Sequence, residues 1–520
     1  MSERSPPRFD LTDEPWVPVE DLTGAFREVG LTEAFERAAD LRRVVDASPL
    51  VTVALYRLLF AIYHRAIPLK GDNEWLDAWE AATAHTEVGP YLAKWRHRFN
   101  LFDPVAPFWQ VADLDETHGT MAWTKLAAEL NDNNSKVLFD HTATGNAPAA
   151  SPARVARFIV ACQVMSVGAG KSAVGYNVHA PTATALVVVP EGPTLADTLL
   201  ANVRTGQDPN DHPVWEREPV SVTTIKAGNE STPVVTRRFT GVANRLTWRT
   251  RSIRVVPPTD GDGVRFVHFG AGERVTPVDG DRDPWVPYRV TKEGSWAPRR
   301  WDTSRAVWRD LHAIVVSEAG VGEAPRVLQA LGNLSENTDR DVPTWTLLVA
   351  GQAADKAKIE AWGQERWSVP QSLIEGDPTA LNGLQRAMKG ANETASRIEK
   401  YAWRLARDLL GVGSPPPASE VRRAAGRLPT STAYWATLEH SFAALLRDLG
   451  RPASSNPVPT ALGTWTEALA DAVQHASAST HRTLGRNTIA IRAWARNGPR
   501  FDALAASLRR QAATERGGTA

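Results

Sequence analysis

The 520-residue chain, 42% hydrophobic and 23% charged with a mean hydropathy of −0.30, is long enough for two to four folded units and is neither disordered nor membranous in composition. Its 59 basic and 59 acidic side chains cancel, which argues against a free-standing nucleic-acid binder. The single cysteine, Cys162, excludes an intrachain disulfide and a thiolate zinc cluster.

The opening "MSERSPPRFD" lacks the apolar core of a signal peptide, and no run approaches a membrane span, so a cytoplasmic protein without a membrane partner is expected. Helical and extended patterns alternate over the first 370 residues. "SPLVTVALYRLLFAIYHRA" carries Val51, Leu55, Leu58 and Ile62 at helical spacing. "SPARVARFIVACQVM" does the same with Val155, Phe158, Cys162 and Met165. "TATALVVVP" and "SIRVVPP" are short β-branched runs ended by proline, which predicts strands. Between 205 and 305, prolines, glycines and tryptophans break the chain into short segments, predicting an irregular, largely β region with long loops. The 19 tryptophans are expected mainly as buried anchors.

After residue 370 the pattern changes. Ile398, Ala402, Leu405 and Leu409 form one apolar seam, Leu438, Phe442, Leu445 and Leu449 a second, and Trp465, Leu469, Val473 and Ala476 nearly a third. Breaks at "SPPPAS" and "RPASSNPVP" redirect the chain, and a last helix is expected to kink or split at Gly498-Pro499. The predicted class is therefore α+β: an irregular mixed α/β domain over 1–370 followed by a four-helix bundle over 371–520. Residues 371–520 hold 19 Lys and Arg against 12 Asp and Glu, leaving 40 against 47 for the rest, so the parts carry +7 and −7. The bundle then either faces something anionic or has an Arg-rich solvated surface.

"VGAGKSAVGYN", Val167 to Asn177, poses the sharpest chemical question, because Gly-Lys-Ser behind glycines is how many nucleotide phosphates are held. The motif fails where Met165 stands in place of the required first glycine. Its context fails too, since the predicted order is helix, loop, strand rather than strand, loop, helix. Gly168, Gly170 and Gly175 would still let backbone approach a partner closely, with Lys171 and Ser172 as donors. There is no nucleophile elbow, no His-Glu-x-x-His and no distinctive carboxylate pair, so no metal, no cofactor and no catalytic residue is expected.

Several segments then line up in order: "FDLTDEPWVPV" (Phe9 to Val19), "FDPVAPFWQV" (Phe102 to Val111), the polar loop "NDNNSKVLFDHTATGNAP" (Asn131 to Pro148), the glycine loop, and a basic C-terminal bundle. Together they resemble the large subunit of the type I-E CRISPR Cascade complex, the CasA family. The resemblance implies a non-catalytic subunit that reads the protospacer-adjacent motif (PAM) in duplex DNA, starts strand separation and the R-loop, and recruits a helicase-nuclease. Guide pairing reads the remaining sequence in such systems. The implied partners are other Cascade subunits, the guide RNA 5′ handle, double-stranded target DNA and the helicase-nuclease.

The resemblance assigns Gly168, Ala169, Gly170 and Lys171 to the minor groove at the PAM, with Arg274 in "GAGERVTP" replacing the family's lysine. The polar loop, with Phe139, His141, Thr142 and Asn146, would contact the guide handle and a neighbouring subunit; Phe139 can either pack or stack. A strand wedge, glutamine in well-known members, falls in "VAGQAADKAK", where Gln352, Asp355 and Lys356 are the candidates. Some members carry a cysteine zinc finger, which Cys162 alone cannot form. A phosphate- or nucleotide-binding enzyme with a divergent P-loop and a protein-only scaffold are the competing readings.

Overall fold

Segment order and burial follow from the computed structural model, which describes residues 7–130, 147–168, 170–258, 263–276, 281–335, 337–338, 340, 342–411, 415–451 and 457–517. The chain forms two units, Met1–Val307 with Ser317–Arg366, and Trp308–Val316 with Trp367–Ala520.

The first unit is built around the helix Pro49–Ala66. Ser48 caps it, its hydroxyl accepting from the Val51 amide at 3.3 Å, and Pro49 occupies the first turn, where the missing N–H costs nothing. Every residue from Leu50 to His64 is buried, so this helix is a central rod rather than a half-wetted surface helix. Its Tyr56 stacks on Phe60, and Phe60 on Trp285, each at a centroid spacing of 5.7 Å. Arg57 is neutralised inside the core by Asp283, which it meets bidentately at 2.7 and 3.2 Å.

The unit also holds small antiparallel sheets. One has the strand order Phe26–Val29, Val17–Asp21, Leu41–Val44; another has Thr120–Ala122, Phe266–Ala271, Arg251–Val255. The expected strand in "TATALVVVP" is confined to Val187–Glu191, which pairs with the long strand Thr344–Asp355. Between 205 and 305 the strands are interspersed with helices Val222–Glu230 and Val242–Leu246, so that region is less β than its punctuation suggests. Serine at 221 explains the first of these: its hydroxyl accepts from the Thr224 amide and starts the helix.

In the second unit, helices Pro378–Leu410, Thr430–Leu449, Pro457–Thr483 and Thr488–Gly517 pack as a bundle, with the short helix Ala418–Arg427 against the first. Ile398, Ala402, Leu405, Leu438, Phe442, Leu445, Trp465, Leu469 and Val473 are buried along the seams that their spacing predicts. Trp308, from the segment preceding residue 370, joins this core by packing on Trp435 and Phe442 at 5.6 and 4.8 Å. The expected split at Gly498-Pro499 does not occur, because one helix runs through Pro499. Asn497, Gly498 and Phe501 are buried there, and Gly498 lies close to the Trp494 ring, so packing around the proline keeps the helix continuous.

Candidate nucleic-acid interface

The helix Pro152–Met165 ends where the glycine loop begins, which gives the order helix, loop, strand. The last carbonyls of a helix have no partner within it. Here they are met from outside. Thr182 Oγ1 donates to the Val164 carbonyl at 2.7 Å, the Ala180 amide to Ser166 at 2.9 Å, Arg251 Nη2 to Val167 at 2.7 Å, and Gln352 Nε2 to Met165. The loop's entry is thus pinned from several directions. The Gly168 amide donates in turn to His179 Nδ1 at 3.2 Å. Partial burial, then the Arg251 and Arg300 guanidinia, lower the His179 pKa and favour the neutral acceptor.

Beyond Gly168 the chain forms a hairpin, Gly170–Ser172 against Gly175–Asn177. Gly170 has φ +74° and open space around its missing Cβ. Lys171 and Tyr176 are cross-strand partners on one face, both exposed, with Tyr176 at 59%. Val174 at the turn is buried, and Asn229 Nδ2 donates to its carbonyl at 3.0 Å, locking the hairpin to the helix Val222–Glu230. Ala169 lies outside the described residues, as do Phe139, His141, Thr142 and Asn146.

Arg274 follows the strand Phe266–Ala271, and its backbone carbonyl accepts from the Arg237 amide at 2.9 Å. Its side chain is half-buried, and its Nε has no partner among the described residues. Next to it, buried Glu273 serves three arginines: Arg217 at 3.1 Å, Arg249 at 3.4 Å, and Arg237. Burial pulls Arg249 down to about 10, Glu273 opposing and the nearby Arg217, Arg98 and Arg237 adding to the fall. One carboxylate therefore leaves a net positive patch, and Arg237 and Arg274 line a shallow cavity of about 30 Å³ together with Thr224 and Asn229. Sequence reading missed this cluster except for Arg274. Arginines repeat at 237, 238, 245, 249, 251 and 254, but nothing local shows that Glu273 gathers three cations.

The third candidate element is the long hairpin of Thr344–Asp355 and Lys358–Pro370. Its tip is Lys356-Ala357, with Lys356 at φ +55° and Asp355 and Lys356 exposed. Gln352 is corrected: it is fully buried, and besides Met165 its Nε2 donates to the Ala183 carbonyl at 2.7 Å. A side chain committed to two buried carbonyls is not available at a tip. Below the tip, Ile359 and Val167 share an apolar cluster with Ala180 and Ala183, against which Ala128 and Ala354 pack. The base of the glycine loop and the tip-proximal end of the long hairpin are therefore one packed unit.

Among the described residues, no group of three or more His, Cys, Asp and Glu side chains stands together as a metal site. Cys162 is buried, and burial pushes its thiol up to about 11, so it is inert at neutral pH. No helix among the described residues is long and apolar enough to cross a membrane.

Comparison with known proteins agrees with this fold. Residues 10–476 match the family model for CRISPR-associated protein Cse1. The CRISPR-associated protein CasA/Cse1 of Thermus thermophilus is 33% identical over 513 residues, covering 96% of this chain and 98% of its own. The crystal structure of Thermus thermophilus CasA superposes with a TM-score of 0.83 at 30% identity over 96% of this chain and 100% of that one. Cse1 from Acidimicrobium ferrooxidans gives 0.79 at 25% identity, over 98% and 99%. A chain of a CRISPR RNA-guided surveillance complex shares the fold at 0.72 and 20% identity, over 98% and 100%. Fold and similarity together define a CRISPR-associated protein. Within that class, the chain belongs to the Cse1 (CasA) family.

Proposed function

We propose that the chain is the large, non-catalytic subunit of an RNA-guided antiviral surveillance complex in the cytoplasm. In this reading it recognises the PAM in double-stranded DNA, starts strand separation and R-loop formation, and recruits the helicase-nuclease. The observation that carries the reading is the shared base of two exposed turns, where Val167 of the glycine loop packs in one cluster with Ile359 and Ala354 of the long hairpin. A loop that docks on DNA would thereby hold the hairpin tip at a set distance from the docking point.

The chemistry of each part suits that task. Gly170 lets bare backbone approach a groove, Lys171 supplies a phosphate donor, and Tyr176 beside it offers an aromatic face. Minor-groove readout is degenerate, which fits a subunit accepting several short motifs. Arg274 and Arg237, in the arginine-rich cluster around Glu273, would meet the duplex backbone. Asp355 and Lys356 remain as the wedge candidates. The polar loop 131–148 would meet the guide RNA 5′ handle and a neighbouring Cascade subunit. A nucleotide-binding enzyme is disfavoured, since a phosphate-cradling loop opens a helix, whereas this one closes a helix and opens a hairpin.

A gel-shift titration tests the reading. Complex assembled with this chain is expected to bind a PAM-bearing duplex at least about tenfold more tightly than complex lacking it, a difference of about 1.4 kcal/mol. Equal binding would remove the PAM-reading role.

A further inference from the structure

Arg251, the first residue of the strand Arg251–Val255, is only 1% exposed. Its backbone is held on both sides by Gln163, whose amide exchanges 2.9 Å hydrogen bonds with the Arg251 amide and carbonyl. Its guanidinium points inward, Nη1 donating to the Thr250 carbonyl at 2.9 Å and Nη2 to Val167 at 2.7 Å. Nε has no partner, and no carboxylate pairs with this side chain among the described residues. The contrast with the other deeply buried arginines is direct, for Arg57 has Asp283 and Arg249 has Glu273. Taking a charge out of water without a partner costs several kcal/mol, and burial accordingly pulls Arg251 down to about 10.

Arg251 lines a cavity of about 40 Å³ beneath the base of the glycine loop. The Ser166 hydroxyl lies on the same wall; it faces the Cys162 thiol and has no other hydrogen-bond partner among the described residues. Lys125 also lines the cavity, with its ammonium over the Phe269 ring. The one carboxylate in the described lining, Glu129, takes a hydrogen bond from the Ser48 hydroxyl and makes no ion pair with Arg251. Met165, Phe269 and Ile359 make the rest apolar. About 10–15 Å³ of such space holds one water, so the cavity has room for one small ion and a water or two, and none for an organic ligand.

We propose that this cavity binds a single monovalent inorganic anion of about the size of chloride, seated against the Nε edge of Arg251 and within reach of the Ser166 hydroxyl. The ion supplies a counter-charge that Arg251 does not find among the described residues. Because the same guanidinium holds the Val167 carbonyl, an occupied site also stiffens the entry to the glycine loop. Water alone would satisfy the donors but leave the charge uncompensated.

Two measurements on the full-length protein decide this. Crystals grown in bromide, measured at the bromine absorption edge, should show an anomalous peak within hydrogen-bond reach of Arg251 Nε. In solution at constant ionic strength, replacing gluconate by chloride should raise Tm by about 2 °C or more. Ser166→Ala should keep the fold and weaken the chloride dependence several-fold, and Arg251→Met should abolish it. If Arg251→Met fails to fold, the bromide map and Ser166→Ala still decide. No bromine peak overturns the proposal. A peak without any chloride-dependent shift in Tm overturns it too, as binding at crystal concentration only.

Discussion

A Cβ on Gly168 would stand 2.9 Å from the Asn177 carbonyl, whereas one on Gly170 would meet nothing. The two glycines of one loop therefore lack side chains for different reasons. Gly168 permits the loop to lie against its own return strand, and Gly170 allows φ +74° on an outward turn. Gly168→Ala is expected to cost about 1–3 kcal/mol by forcing the strands apart, measured by urea unfolding. A loss below about 0.5 kcal/mol would show that the loop yields freely. His179 adds a pH term with a definite sign. Its folded pKa is lowered, so the neutral acceptor it offers Gly168 contributes fully above the ordinary imidazole value of 6.5 and is lost as pH falls below it through the folded value. His179→Gln should therefore show a shallower fall in unfolding free energy from about pH 7.5 to about pH 5.5 than the unsubstituted protein. Equal slopes would exclude the role. The glycine spacing and the failure of the P-loop motif were legible in the sequence. The internal use of Gly168 was not, because it depends on where Asn177 returns.

The long hairpin shows how an element can mislead when read alone. Gln352 stands in the run where a wedge was expected, but pairing of Thr344–Asp355 with Val187–Glu191 carries its side chain inward to the end of the helix Pro152–Met165. Gln352→Ala should leave the Met165 and Ala183 carbonyls without this donor in the interior, at a cost of about 1–3 kcal/mol visible as a lower Tm. An unchanged Tm with impaired strand opening would return Gln352 to the wedge. Lys356 is the opposite case. Its φ of +55° suits glycine better, so Lys356→Gly should leave stability unchanged or raise it by up to about 1 kcal/mol while slowing opening of a PAM-bearing duplex. Unchanged opening would exclude the Lys356 side chain from the wedge. Helical seams such as Leu438, Phe442, Leu445 and Leu449 were plain in the sequence because their period is local. The three arginines on Glu273 and an Arg251 without a carboxylate among the described residues were not, since each depends on segments brought together from afar.

For the whole molecule, the zero net charge masks an uneven distribution, with +7 on residues 371–520 and −7 on the rest. Counterion release driven by net charge is then weak, and the isolated chain is expected to bind nonspecific duplex with a Kd above about 10⁻⁶ M at physiological salt. Submicromolar binding by the isolated chain would contradict that expectation. Affinity in this account belongs to the assembled complex, and the chain's part is to join PAM contact to strand opening through the shared base at Val167 and Ile359. The most direct test places a fluorescent adenine analogue at the first target pair beside the PAM and follows its unstacking in complexes assembled with and without this chain. Rapid unstacking only when both the chain and a correct PAM are present is the predicted result. Equal unstacking without the chain, or with a scrambled PAM, would contradict the account.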